Sequence, residues 1–153
     1  MLTKIISGGQ TGADQAALDV AIKLNILHGG WIPKGRLTED GPLAEKYDLQ
    51  EMPTDSYSKR TEQNVIDSDG TVIFSHGKLT GGSAFTGKMA EKHTRPLLHL
   101  NMDKMSVSYA ARMLQSWIID NGIRVLNVAG PRASGDPEIY GMVTKVLESV
   151  LQH

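Results

Sequence analysis

Three glycine-containing segments carry polar residues whose types and spacing suit the binding of a negatively charged ligand. They are SGGQTGAD at residues 7–14, LTGGSAFTGK at residues 79–88 and AGPRASGD at residues 129–136. Glycine lets the backbone turn tightly and approach a ligand closely. Each segment leads into a predicted helix, whose first N–H groups are unpaired and carry a partial positive charge. The three segments therefore predict phosphate or oxyanion binding.

The contacts to the anion are expected from backbone N–H groups, hydroxyl groups and two arginines. The backbone donors lie at residues 9–12 and 81–83. Arginine suits an oxyanion because its guanidinium donates two parallel hydrogen bonds. Arg60 and Asn64 lie four residues apart, on one face of a predicted helix that can reach the same site. The full set of candidate ligand-binding residues is Gly8, Gly9, Gln10, Thr11, Gly12, Asp14, Arg60, Asn64, Gly81, Gly82, Ser83, Thr86, Gly130, Arg132 and Ser134. No catalytic residue and no protein ligand for a metal is predicted.

Neither of two common nucleotide-binding glycine motifs is complete in this chain. Residues 8–12 read GGxxG rather than the GxGxxG of dinucleotide-binding proteins. Residues 82–88 read GxxxxGK, but Met89 follows where a P-loop has the Ser or Thr that binds magnesium. The sequence therefore argues against a dinucleotide-binding protein and against a P-loop nucleoside triphosphatase.

Short apolar stretches alternate with amphipathic stretches, which predicts alternating strands and helices. The predicted strands lie at residues 2–7, 71–75, 96–101 and 124–129, with a further one ending at Trp31 and Ile32. The predicted helices start near Gly12 and cover residues 58–67, 82–92, 107–118 and 137–151, whereas residues 34–53 are predicted to form a long loop. This order is typical of an α/β protein. We expect a single Rossmann-like, doubly wound domain over residues 1–153, with a mostly parallel five-stranded sheet and helices on both faces.

Two helix starts are indicated by residue type. Thr11 and Asp14 have the spacing of a capping box at the first helix. Asp136 followed by Pro137 is typical of an N-cap and the first helical position of the last helix. In an α/β sheet the ligand lies beyond the carboxyl ends of the strands, and all three glycine segments follow predicted strands. We therefore expect them to form one shared pocket.

Composition excludes several classes of function. The 153-residue chain carries 16 Lys and Arg against 17 Asp and Glu, a net charge of −1, which argues against a nucleic-acid partner. No Cys is present, which excludes disulfides, thiolate zinc sites, iron–sulfur clusters and cysteine nucleophiles. No apolar stretch approaches the ~18 residues of a membrane span, and the N-terminus lacks the apolar core of a signal peptide. A cytoplasmic protein without a membrane partner is expected.

Four stretches of the chain resemble the molybdenum carrier family, which is similar to the algal molybdenum cofactor carrier proteins. These stretches are GGQTGADQAALD (8–19), NVIDSDGTVIF (64–74), TGGSAFT (80–86) and NVAGPRASGDPEIY (127–140). The family lies in a Rossmann-like group with the lysine-decarboxylase-like LOG phosphoribohydrolases. The resemblance implies a non-catalytic protein that binds, stores or delivers molybdenum cofactor (molybdopterin), a pterin with a dithiolene-held metal and a phosphate. It also implies a homo-oligomer, a dimer or tetramer, and a molybdoenzyme as acceptor.

Two alternatives remain open. The first is a LOG-like nucleotide phosphoribohydrolase, whose family carries a PGGxGTxxE signature. Aligning its glycine pair on Gly81 and Gly82 places Lys88 at the position of the Glu, and leaves Glu91 or Asp14 as the candidate acid. The second alternative is a sensor that binds a nucleotide-like or pterin ligand and signals through a partner.

Overall fold

A computed structural model describes residues 1–152 of the chain. The elements in chain order are β1 (Lys4–Ile6), α1 (Ala13–Lys23), β2 (Leu27–Gly29), β3 (Trp31–Ile32), β4 (Leu37–Thr38), β5 (Gly41–Pro42), β6 (Gln50–Glu51), α2 (Tyr57–Ile66), β7 (Gly70–Ser75), α3 (Gly81–Lys92), β8 (Leu97–Asn101), α4 (Val107–Asp120), β9 (Val125–Ala129) and α5 (Ile139–Leu151). Five parallel strands form the central sheet in the order β2-β1-β9-β7-β8. The predicted Rossmann-like α/β fold with a five-stranded sheet is confirmed.

The three glycine segments meet because β1, β9 and β7 are neighbours in the sheet. Pairing of Ile6 with Asn127, and of Ile73 with Ala129, places the carboxyl ends of these strands at one edge. Since the strands are parallel, the segments that follow them leave the sheet on the same side. The sheet order thus brings together segments that lie more than 40 residues apart in the sequence.

Helices cover the sheet in two groups. α5 packs against both α1 and α4, and α2 packs against α3. The main core lies under the first group and contains Ile5, Val72, Phe74, Leu126 and Leu147, each at most 1 % exposed. All six residues of β7 are buried, as expected for a central strand covered on both faces. Within residues 1–152, no helix has the length and apolarity that crossing a bilayer requires.

The second predicted strand differs from the structure. The chain leaves the central sheet after Gly29, and β3 pairs with β6 in a separate two-stranded sheet. Gly30 makes this change of direction feasible because its φ is 125° and a Cβ there would lie 2.1 Å from the carbonyl oxygen of Ser7. Only glycine tolerates both the conformation and the close approach.

Residues 33–52, here called the strap, are not the featureless loop that the sequence predicts. They contain β4, β5 and β6, and they close a small apolar cluster of Leu18, Ile32, Leu43, Tyr47 and Leu49. The tip between β4 and β5 reaches the segment after β1, where the backbone N–H of Glu39 donates to the side-chain oxygen of Gln10 at 2.9 Å.

Arg36 holds the strap together. Its guanidinium donates to the carbonyl oxygens of Ala44 and Tyr47 at 2.9 Å, of Leu43 at 3.3 Å and of Leu49 at 3.5 Å. Arg36 itself has a φ of 55°, an uncommon conformation for a residue other than glycine. One side chain therefore donates to four carbonyl groups of the strap, two of which, those of Ala44 and Tyr47, also accept from backbone N–H groups.

We expect Arg36→Lys to loosen the strap, because an ammonium group cannot reach four separated carbonyl oxygens as the planar guanidinium does. The free energy of unfolding should fall by about 1–2 kcal/mol. Urea denaturation measures this change, and limited proteolysis should show new cleavage within residues 33–52. Arg112→Lys, on the exposed face of α4, is the matched control. Unchanged stability together with unchanged cleavage would show that Arg36 does not hold the strap.

The first helix starts near Gly12 as predicted, but its predicted capping box and the predicted start of the last helix need correction. Gly12 is the N-cap of α1, and within residues 1–152 no side chain caps that helix, because Asp14 accepts from the backbone N–H of Gln10 and Thr11 donates its hydroxyl proton to Glu39. The last helix begins at Ile139, two residues later than the Asp136 N-cap implies. Asp136 lies in the preceding turn, with one side-chain oxygen on the N–H of Glu138.

Candidate functional site

A cavity of about 380 Å³ opens at the carboxyl ends of β1, β7 and β9, with α2 forming a further wall. This volume is within the range of small-molecule sites. Eleven of the fifteen candidate residues line it, namely Gly8, Gln10, Asp14, Arg60, Asn64, Gly81, Gly82, Ser83, Thr86, Gly130 and Arg132. Four others, Gly9, Thr11, Gly12 and Ser134, are not part of its wall.

The N-terminus of α3 offers free hydrogen-bond donors to this pocket. Thr80 is the N-cap, but its side chain makes no capping bond, and the first N–H with a helical partner is that of Ala84. Within residues 1–152, no protein group accepts from the N–H groups of Gly81, Gly82 or Ser83. Three unpaired N–H groups at the positive end of a 12-residue helix form a favourable environment for an anion.

Positive charge predominates around the pocket. Arg60, Lys78 and Arg132 line it, and the carboxylates among its lining residues are Asp14 and Asp136. Asp136 is already paired, since one of its oxygens lies 2.5 Å from Nδ1 of His76. The pocket therefore presents three basic side chains and, besides the paired Asp136, one further carboxylate, Asp14, which favours an anionic ligand.

Arg60 is built into the pocket wall rather than extended over it. The residue is 8 % exposed, and its guanidinium donates to the carbonyl oxygen of Gly8. A Cβ at residue 8 would lie 2.1 Å from that guanidinium, so glycine is required there for Arg60 to pack as it does. The guanidinium carbons of Arg60 and Arg132 also lie 5.5 and 5.9 Å from the ring centre of Tyr57, within the range of cation–π contacts.

Asp14 is a buried carboxyl group with an altered acidity. It is 8 % exposed, and burial raises its pKa to about 6, although the charge of Arg60 and the N–H of Gln10 oppose that shift. Removing a carboxylate from water penalises its charged form, and here this effect exceeds the attraction of the nearby guanidinium. Asp14 therefore changes its protonation state close to neutral pH.

The backbone donors expected at residues 9–12 are largely used within the protein, which corrects the sequence-based expectation. The N–H groups of Gly9, Gln10 and Thr11 donate to the side chains of Ser7, Asp14 and Gln10, at 3.4, 3.2 and 3.0 Å. Gly12 faces the segment after β9, where a Cβ would lie 2.5 Å from the carbonyl oxygen of Pro131. A Cβ at Gly9 would meet the apolar cluster under the strap, not the pocket.

Glu39, at the tip of the strap, occupies the hydroxyl groups that the sequence offers to a ligand at Thr11 and Ser134. It accepts from the Thr11 hydroxyl and from the hydroxyl and N–H of Ser134, the latter at 3.1 Å. The bonds from Ser134 and then from Thr11 lower the pKa of Glu39. These two predicted ligand residues therefore bind a carboxylate of the protein itself.

Two further candidate residues serve the local structure. The side-chain amide of Asn64 accepts from the N–H of Trp31 at 2.8 Å and donates to its carbonyl oxygen at 3.1 Å, which fixes β3 against α2. The hydroxyl of Thr86 donates to the carbonyl oxygen of Gly82 at 2.9 Å. Both residues line the pocket, but these polar groups already have partners.

Several polar residues at the pocket were missed by the sequence analysis. Lys78 and Asp136 lie in segments that follow β7 and β9. The rule that ligands bind beyond the carboxyl ends of the strands therefore includes these two residues. Asn127 lines the pocket from within β9, where its amide donates to Thr71 at 3.2 Å. The sequence gives no comparable signal for Tyr57 or for the hydrogen bonds of Glu39. Their positions depend on how α2 and the strap pack against the rest of the protein.

Residues 5–151 match a protein family described as "Circularly permutated YpsA SLOG family". The chain belongs to this family. A crystal structure of a protein described as "Putative molybdenum carrier protein", from Syntrophus aciditrophicus SB, is 59% identical and superposes with a TM-score of 0.97. The alignment covers 98% of this chain and 95% of that one. No curated protein matches the chain. The resemblance to the molybdenum carrier proteins, within the LOG-like group, is thereby confirmed.

Of the two candidate acids for LOG-type hydrolysis in this YpsA SLOG family member, Asp14 lines the pocket and Glu91 does not. Lys88, at the position aligned with the signature Glu, is exposed and does not line the pocket. Glu91 is likewise exposed and outside the wall. Within residues 1–152, α3 therefore contributes N–H groups and hydroxyls to the pocket and no carboxylate.

Proposed function

We propose that this protein carries molybdenum cofactor and holds its phosphate group at the N-terminus of α3. The observation that carries the proposal is the set of unpaired N–H groups at Gly81, Gly82 and Ser83, which open on a pocket lined by three basic side chains. The crystal structure at 59% identity is of a protein described as a molybdenum carrier, and this description supports the role of a carrier. A molybdoenzyme is the proposed acceptor.

The protein's own groups are proposed to bind and orient this cargo without reacting with it. The N–H groups of α3 donate to the phosphate, and Arg132 and Lys78 balance its charge. Molybdenum cofactor supplies its own sulfur ligands through the dithiolene, which suits a chain that has no Cys. Binding inside a pocket of about 380 Å³ would limit contact of the cargo with water.

We expect Arg132→Ala to weaken the binding of molybdopterin about tenfold. Arg132 lines the pocket but is exposed, so the loss should be at the lower end of the range for a hydrogen bond to a charged group, about 1.5 kcal/mol. Anaerobic fluorescence titration with molybdopterin released from a molybdoenzyme measures the affinity.

Arg112→Ala is the matched control, because Arg112 lies on the exposed face of α4 and not in the pocket. The proposal fails if wild-type protein does not bind molybdopterin, or if both substitutions change the affinity equally.

A further inference from the structure

The pocket contains a second group of donors, separate from the N-terminus of α3. Gln10 is 6 % exposed, and its side-chain oxygen accepts from the N–H groups of Thr11 and Glu39 at 3.0 and 2.9 Å. Because both of these partners are donors, they fix which end of the amide is oxygen. The amide nitrogen, Nε2, is then buried, and no group in residues 1–152 accepts a hydrogen bond from it. A buried donor without an acceptor costs free energy, so this position favours a ligand that supplies one.

Arg60 adds charge at the same place. Its guanidinium has five N–H donors, and within residues 1–152 its hydrogen bond to a protein group is the one to Gly8. Gln10, Asp14 and Arg60 all line the pocket, and we call these three residues the floor. The floor is built from side chains that are each at least 91 % buried, so its geometry is fixed by packing.

We propose that the floor is a second anion subsite, and that it takes up its anion together with a proton on Asp14. This inference rests on the proposed function, because it assigns the far end of the same ligand. The ligand class is then a molecule with two separate oxyanion groups, one at the N-terminus of α3 and one at Gln10 and Arg60.

The proton follows from the position of Asp14. An ionised Asp14 and a bound oxyanion would place two negative charges in one buried floor, with Arg60 as the shared counter-ion. Like charges in a buried site favour protonation of one of them. Burial already holds the pKa of Asp14 at about 6, so a small further increase caused by an adjacent anion keeps Asp14 protonated at neutral pH.

Proton uptake by Asp14 must be distinguished from the effects of the other charged groups around the pocket. They are Arg60 from α2, His76 and Lys78 from the segment after β7, Arg132 and Asp136 from the segment after β9, and Glu39 from the strap. The contact of His76 with Asp136 lies outside the floor, so the test includes His76 as a separate variant.

Sulfate is the probe for the experiment, because it remains a dianion across the relevant pH range. Calorimetry in buffers of different ionisation enthalpy gives the number of sulfates bound and the protons taken up. We expect wild-type protein to bind two sulfates per chain near neutral pH, with proton uptake linked to one of them. Gln10→Glu keeps the acceptor for Thr11 and Glu39 but replaces the free amide nitrogen, and should bind one sulfate.

Two variants locate the proton. Asp14→Asn should bind sulfate at the floor without proton uptake, and at about pH 8 about 100-fold more tightly than wild type, since that pH is about two units above the pKa of Asp14. His76→Gln should retain the uptake. Uptake that persists in Asp14→Asn and disappears in His76→Gln would overturn the assignment to Asp14.

The outcomes separate this inference from the proposed function. Binding of a single sulfate that Gln10→Glu leaves unchanged would overturn the floor subsite, while the site at α3 would stand. If no sulfate binds to any variant, both the floor subsite and the proposed phosphate site at α3 are wrong. Two sulfates in wild type and one in Gln10→Glu, with circular dichroism unchanged, would support both.

Discussion

Gly82→Asp is expected to weaken the binding of inorganic phosphate about 100-fold, a loss of about 2.7 kcal/mol. Gly82 is the second residue of α3, and a Cβ there meets nothing within 4 Å. The new carboxylate therefore fits without displacing a neighbour and lies beside the N–H groups that are proposed to hold the ligand. A carboxylate in the first turn of a helix is itself stabilising, so the variant should fold at least as stably as wild type.

Gly82→Ala is the matched control for this prediction. It adds the same Cβ without the charge, and should change phosphate affinity less than about threefold, because the N–H groups of α3 remain free. Calorimetry gives both affinities, and thermal denaturation shows that both variants are folded. Equal binding by Gly82→Asp and wild type would remove the N-terminus of α3 from the anion site.

The fold was predictable because its signals are local and consistent with one another. The apolar strand at residues 71–75 and the helical stripe at residues 107–118 both appear in the structure with small shifts of their ends. Parallel topology then decides which segments share an edge, and this rule correctly placed the three glycine segments together. The start of α5 was less predictable, since Asp136 has the right type for a helix N-cap but contacts His76 instead.

The part of the site that sequence reasoning could not reach depends on contacts between distant segments. Thr11 and Ser134 have the residue types of anion ligands, and they do bind a carboxylate, that of Glu39. Residue type alone does not distinguish a carboxylate of the protein from a phosphate of a ligand. Glu39 comes from the strap, whose polar composition predicts only a loop, and its docking is fixed by the apolar cluster and by Arg36.

The three glycine segments therefore differ in how many of their donors are used by the protein's own carboxylates. Asp14 uses an N–H donor of the first segment, and Glu39 uses donors of the first and third. In the second segment, at the start of α3, the N–H groups of Gly81, Gly82 and Ser83 have no acceptor in the part of the chain that the structure describes. This difference is the reason that the phosphate is proposed to bind at α3, rather than equally at all three segments as the sequence suggests.

Asp14→Asn is expected to raise the free energy of unfolding by about 3 kcal/mol above pH 6, and to leave it unchanged at strongly acidic pH. The pKa of Asp14 rises from 3.8 to about 6 on folding. Between these values the folded protein keeps a proton that the unfolded chain has lost, so stability falls as the pH rises through this window. Each pKa unit corresponds to about 1.4 kcal/mol, which gives the expected total. Asn keeps an oxygen for the N–H of Gln10 and has no charge to bury.

Urea denaturation at a series of pH values, in buffers without phosphate or sulfate, measures this difference. The bonds to Glu39 and Glu62 lower the pKa values of those carboxyls and give the opposite slope, but they do so equally in wild type and variant. The difference between the two curves therefore isolates Asp14. Asp120→Asn, at an exposed position on α4, is the control and should leave the curve unchanged. Parallel curves for Asp14→Asn and wild type would mean that Asp14 remains charged on folding, and the proton-linked floor would lose its physical basis.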